Sequence, residues 1–309
     1  MSDFVIVKDN FSQAAKPARQ FFEKIYRDPR RTPRERFVWD FWNLKDSEGQ
    51  SQYRHLRTPA RGFLPKKIYD SICLELVKFG QSNFGCWSIS DPWLSLYLDG
   101  CEQELHTDNP HGPWAYVLSL TTADLQGGST RILRPEILNY WQSQFSRSRG
   151  FEQRDLFLQI PPKFNRLVAF DPRLPHGVSR VSGSATDQLT GRLVLHGWFV
   201  NPEPYVTGGL EAKVAARAMP QALNENIQAA LARVTVPPLA RGMLTYELSV
   251  AATGRTTKVK ALTDSVATSL IGDLAAARKL NHSISLALAR TKWPRAARVS
   301  KLVLPLVFD

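Results

Sequence analysis

The sequence predicts an α+β protein: a sandwich or barrel of short strands with N-terminal helices packed outside it, then a small C-terminal α+β unit. Three observations carry this. Residues 11–26 and 65–79 place apolar side chains every three or four positions, the period of a helix with one buried face. From residue 93 to 200 the apolar runs become short and are separated by turn formers, as in strands. After Asn201, Pro202, Glu203 and Pro204 the composition turns Ala-rich, then alternates as a hairpin does.

The elements follow in order. Residues 4–7 read as a strand. In the first helix Ala14, Ala18, Phe21, Phe22 and Ile25 share a side, and residues 28–36 (DPRRTPRER) break it with prolines. Phe37, Trp39, Phe41 and Trp42 alternate in part and suit a strand or a pocket wall. The second helix is marked by Ile68, Ile72, Leu76 and Phe79. Strands are expected over 93–98, 114–120, 130–133, 156–160, 166–170 and 192–200. Beyond 204, two helical stretches (211–218 and 221–234) precede Pro237 and Pro238. A hairpin (243–250 and 258–262), a helix across 265–289 and a strand over 301–308 end the chain. The expected division is 1–204 as the main domain with its strand core at about 93–200, 205–240 as a helical linker, and 241–309 as the accessory unit.

With 309 residues, 43% of them hydrophobic, long disorder is not expected. The net charge of +12 gathers late: 14 Lys/Arg stand against 6 Asp/Glu after residue 204. No basic block is interleaved with aromatics, so there is no clear nucleic-acid signature. Cys73, Cys86 and Cys101 are odd in number and never at CxxC spacing, which suggests reduced thiols and a cytoplasmic protein. Neither a signal peptide nor an eighteen-residue apolar run is visible. No GxSxG, Walker or Rossmann glycine pattern points to nucleophilic or nucleotide chemistry.

Residues 104–114, ELHTDNPHGPW, raise a sharper question: metal site or polar turn. His106 and Asp108 stand at i and i+2, so on a strand they share a face. His176 follows a strand candidate within FDPRLPHGVSRV. Two His and one carboxylate make the facial set of non-haem Fe(II) oxygenases. An HxD alone is common by chance. Arg192, opening the strand GRLVLHGWF, adds a guanidinium that needs an anion. Arg180 is the reserve for that role.

The run LYLDGCEQELHTDNPHG, GGSTRILRPE, PKFNRLVAFDPRLPHGV and GRLVLHGWF resembles the 2-oxoglutarate/Fe(II)-dependent dioxygenases, prolyl-hydroxylase-like branch. The resemblance implies a double-stranded β-helix, or jelly roll. It implies Fe(II) on His106, Asp108 and His176, with 2-oxoglutarate and O2 as co-substrates. Arg192 would meet the distal carboxylate, with Tyr97 and His196 beside it. The interval from His176 to Arg192 is longer than the family's, through the loop SGSATDQLTG. Such a loop lengthens at little entropic cost, so register can be kept. Asp108 excludes the halogenating relatives, which carry a small residue there. The implied reaction is hydroxylation of an unactivated C–H bond in a protein or peptide residue such as proline. A small-molecule substrate, a free amino acid or natural product, is the alternative, and a non-catalytic binding module is a third. His111, Trp114, Arg131, Trp198 and Trp39 are candidate substrate contacts, each with loop or core packing as its plainer reading. His55 and His282 are expected at the surface. The C-terminal unit suits a homodimer contact, the docking of a partner, or support of the main domain.

Overall fold

The computed structural model describes residues 4–32, 39–45, 47–49, 51–108, 111–134, 156–183, 187, 189–231, 241–266 and 274–308. Phe37, part of the expected aromatic cluster, lies outside them.

Strand β1 (Val5–Lys8) leads into helix α1 (Ala15–Arg27). Strands β2 (Asp40–Lys45) and β3 (Ser51–Pro59) form a hairpin, and a turn of helix, α2 (Ala60–Phe63), leads to α3 (Lys66–Phe84). The periodic face of α3 is buried as its spacing predicts: Ile72, Leu76, Phe79 and Phe84 are at most 8% exposed. Each such side chain contributes about 2 kcal/mol. Gly85, at φ 69°, closes the helix in the left-handed conformation that glycine adopts without strain.

Nine short strands follow: β4 (Cys86–Ile89), β5 (Trp93–Tyr97), β6 (Glu102–His106), β7 (Trp114–Ser119), β8 (Thr130–Leu133), β9 (Phe157–Ile160), β10 (Leu167–Phe170), β11 (His176–Val178) and β12 (Arg192–Pro202). They join β1, β2 and β3 in one curled antiparallel sheet, ordered β1-β10-β7-β12-β5-β3-β6-β11-β8-β9, with β2 on β3 and β4 on β12. The jelly-roll expectation is met. Strand β3 makes the fold curl. Its second half pairs β5 (Arg57 opposite Ser95), while Tyr53 and Arg54 pair β6. One strand thus serves two half-sheets, and their concave faces meet over a shared cavity. The convex side packs on α1 and α3 through Phe22, Leu76, Leu94, Leu96 and Trp114.

The sequence did not announce β3. SQYRHLRTP alternates, but with Tyr, His and Arg on the inner side instead of aliphatics, so it lacks the usual apolar signal.

A second sheet, ordered β13-β16-β14-β15, is formed by β13 (Tyr205–Gly208), β14 (Gly242–Val250), β15 (Thr256–Asp264) and β16 (Ser300–Phe308). Helices α4 (Ala212–Leu231) and α5 (Leu274–Arg290) pack on it. Residues 205–231, read above as linker, therefore differ from that reading. Tyr205 pairs Val303, and Leu210, Ala215 and Met219 are buried with Leu248, Leu288 and Leu302. The two expected helical stretches are one helix that accommodates Pro220.

Candidate metal centre and active site

Register builds the site. Strands β6 and β11 pair so that His176 stands directly opposite His106. Asp108 lies two residues past His106, anchored by its backbone N–H to Pro172 O (2.9 Å). One ligand-capable atom from each of His106, Asp108 and His176 falls within 4.8 Å of the others. His106 Nε2 is 3.4 Å from Asp108 Oδ1, and His176 Nε2 is 3.3 Å from Asp108 Oδ2.

Tautomers follow from the partners. His106 Nδ1 is 2.8 Å from Glu104 O and His176 Nδ1 is 2.9 Å from Leu174 O. A carbonyl only accepts, so each Nδ1 carries the hydrogen and each Nε2 turns a lone pair inward. The Gln103 amide agrees: it donates to His106 Nε2 (3.2 Å) while its oxygen accepts from the Tyr97 hydroxyl (3.2 Å). Two lone pairs and a carboxylate converging on one point call for a cation. This is the arrangement, with outer hydrogen bonds already made, that holds a divalent metal. Burial alone would raise the Asp108 carboxyl, but the two imidazoles beside it, whenever they are protonated, outweigh burial and hold the group well below the usual carboxylate range.

These residues line a cavity of about 250 Å³. Its inner wall is laddered. His55, Tyr97 and Arg192 form one rung: Tyr97 pairs Arg192 in register, and the His55 and Tyr97 rings stack at 4.8 Å. The next rung is Arg57, Ser95 and Val194, and the next holds Trp93 and His196. The longer loop before Arg192 leaves that register intact.

Arg192 is 2% exposed. Its Nη2 donates to Thr130 Oγ1 (3.1 Å), and its guanidinium carbon lies 4.8 Å from the Tyr97 ring centre. Its Nε is buried without a partner, and among the described residues no carboxylate pairs with it. Desolvation pulls its pKa down, the sign of a cation kept from water. Arg180, the reserve candidate, is exposed.

The other expected site residues divide. His196 and Trp198 face the cavity, and His196 Nε2 is 2.9 Å from Ser95 Oγ. His111, at the mouth, lies against Trp198 with ring centres 4.6 Å apart. Trp114 is fully buried on the convex side, stacked on Phe84 at 4.4 Å. Strand parity turns it away from the cavity that Ala115 and Val117 face. Trp39 packs on Phe22 and Phe63 beneath α1. Arg131 lies 3.9 Å from Glu104 and does not line the cavity. His55, expected at the surface, is 1% exposed; its rung places it inside, between Tyr97 and Trp42. Trp42, of the aromatic cluster expected to form a strand or a pocket wall, lines the cavity, as do Thr130, Gln103, Tyr53 and Arg57, which the sequence had not singled out. Thr130 falls in GGSTR, where a motif was visible, and Trp42, Tyr53 and Arg57 belong to the β2–β3 hairpin.

Residues 92–200 match the family described as the 2OG-Fe(II) oxygenase superfamily. The chain carries an oxygenase domain of this superfamily. Such domains use Fe(II), 2-oxoglutarate and O2. No curated protein sequence matches the chain. Solved structures similar to it include a prolyl hydroxylase from Trichoplax adhaerens in complex with a hypoxia inducible factor oxygen degradation domain peptide fragment. It is 17% identical, covers 64% of this chain and 84% of its own, and has a TM-score of 0.42. A Pseudomonas putida prolyl-4-hydroxylase is 16% identical over 64% and 93% of the chains, with a TM-score of 0.42. HygX from Streptomyces hygroscopicus, with nickel and 2-oxoglutarate bound, is 11% identical over 62% and 81%, with a TM-score of 0.40. Among the described residues no helix is long and apolar enough to cross a membrane.

Proposed function

We propose that the oxygenase domain hydroxylates an unactivated C–H bond, with Fe(II) held by His106, Asp108 and His176 and 2-oxoglutarate held by Arg192. The observation that carries this is the pairing of a convergent His-Asp-His set with a buried, anion-free guanidinium in one cavity. A dicarboxylate fits that pairing, one end at the metal and the other on Arg192, with Thr130 and Tyr97 beside it. The chemistry a ferrous ion supplies there is activation of O2, coupled to oxidative decarboxylation of 2-oxoglutarate to succinate and CO2.

The chain's own part is positional. Glu104 O and Leu174 O fix the two imidazoles through their Nδ1 hydrogens. Burial raises the Tyr97 phenol to about 12, so it stays protonated and donates at neutral pH. The apolar lining of Phe170, Val178 and Val194 keeps bulk water from the reacting centre.

The motif resemblance favours a protein or peptide residue such as proline as substrate. The aromatic wall of Trp42, Tyr53 and Trp93 around a cavity of about 250 Å³ favours the second reading, a small molecule. Anaerobic titration with Fe(II) and 2-oxoglutarate tests the core of the proposal by the visible charge-transfer band of the chelate, whose absence rejects it. Succinate release with peptides set against free amino acids, and a product heavier by one oxygen atom, separates the two substrate readings.

A further inference from the structure

Two guanidinium groups face the cavity, and the co-substrate accounts for one. Arg57 stands one rung along from Arg192, about 7 Å by strand rise, and two strands across, about 10 Å more. Its guanidinium carbon lies 3.3 Å from the ring centre of Trp42 and 4.4 Å from that of Trp93. Indoles close around it, so its hydrogen bonds leave in its own plane. The stack fixes an otherwise floppy side chain through cation–π contact and holds it against the cavity. Its Nε is buried and has no partner. Asp40 stands opposite it in the β2–β3 register, yet among the described residues no ion pair with Arg57 forms. The exposed Asp40 carboxylate acts on it only from beyond ion-pair distance, so a cation fixed in this way still has room for an anion at the cavity wall and is a recognition element.

We propose that Arg57, clamped by Trp42 and Trp93, anchors a carboxylate of the substrate. The substrate class is then a carboxylate-bearing molecule: a free amino-acid-like acid, or a peptide presenting an acidic side chain beside the oxidised residue. This rests on the oxygenase reading, since it assigns the first guanidinium to 2-oxoglutarate. Arg57 is a specificity-determining residue that touches substrate away from the reacting carbon.

The test uses the full chain loaded with Zn(II), which is redox-inert, and saturated with 2-oxoglutarate. Calorimetry compares charged and neutral twins: N-acetyl-L-proline against its amide, and acetyl-Ala-Pro-Glu-Ala-amide against the same peptide with Gln for Glu. Wild type binds the charged member of at least one pair about tenfold tighter or more, as a charge-assisted bond requires. The pair that discriminates tells a free acid from a peptide side chain. In Arg57→Gln the preference vanishes. Arg57→Lys keeps a reduced preference, and carries the comparison should the Gln chain fail to fold. Twins bound alike by wild type, no binding of any probe, or a preference that persists in Arg57→Gln (or, should that chain not fold, stays undiminished in Arg57→Lys) overturns the assignment. Titration of 2-oxoglutarate onto the wild-type zinc form comes first. Failure there rejects the oxygenase reading itself, whereas 2-oxoglutarate binding with undiscriminated twins rejects only the role of Arg57.

Discussion

Arg192 shows how a single residue can be selected against the stability of its own fold. An unpaired guanidinium at 2% exposure costs several kcal/mol in desolvation, and one hydrogen bond to Thr130 offsets little of it. Arg192→Met, of similar length and apolar, is therefore expected to raise the thermal midpoint of the ligand-free protein. The same change weakens 2-oxoglutarate about 100-fold or more, because a buried charge pair is lost. Melting curves with and without 2-oxoglutarate check both halves, and a variant less stable than wild type without ligand contradicts the account. His55 makes a related point. Both of its ring nitrogens are buried without partners, and burial first, then the His196 charge, drops its pKa to about 3. Burial likewise drops His196 to about 4. In the folded state both stay neutral where the unfolded chain takes up protons. Stability is thus fully present above about pH 6.5 and is lost as pH falls toward 4. His55→Phe keeps the stack on Tyr97 and removes the stranded nitrogens. It should stabilise the protein by about 1 kcal/mol at pH 7.5 and by more at pH 5, read from urea midpoints.

At the scale of elements, the metal set depends on how closely two strands approach. A Cβ on Gly177 would meet Gln103 O at 2.4 Å and Glu104 O at 2.9 Å, so β11 can lie on β6 only with glycine there. Those carbonyls belong to the strand that carries His106, and Glu104 O also holds its Nδ1 hydrogen. Gly177→Ala should push the strands apart, move His106 from His176 and weaken metal binding at least tenfold, with the far-UV circular dichroism retained. Competition against a chromophoric chelator measures it; unchanged affinity contradicts the argument. The same scale explains what the sequence could disclose. The HxD pair, the distant His176 and Arg192 were legible because strand parity is local and the motif order is distinctive. His55 and Arg57 were not, since β3 places Tyr, His and Arg on its inner side and lacks an apolar pattern, whereas Trp42 showed in the aromatic cluster expected to form a strand or a pocket wall. Trp114 and Trp39 misled for the reverse reason: a large aromatic beside a motif carries no mark of which face it takes.

Across the whole molecule, the second sheet is fastened to the oxygenase domain where the site is built. Met243, 1% exposed, is buried in the core of the first unit, and Thr245 Oγ1 donates to Phe84 O at 3.4 Å. A Cβ on Gly85 would meet the Pro305 ring at 2.7 Å, so the end of α3 lies flush against β16. Arg173 pairs with Asp171 (2.5 Å) and donates to Ser265 O, tying the C-terminal unit to the loop that runs from β10 into His176. A fastening made of buried apolar contact and side-chain-to-backbone hydrogen bonds couples the unfolding of the two units. Wild type should therefore melt in one calorimetric transition. Met243→Asp places a charge in that contact at a cost of about 4 kcal/mol. It should split the melt in two, the lower transition reporting the unit that loses more. Because Arg173 leads to His176, the metal affinity of the variant should fall together with that first transition as temperature rises. A single transition in Met243→Asp, shifted down but unsplit, would mean that each unit fails without the other and that the C-terminal sheet belongs to the oxygenase fold itself.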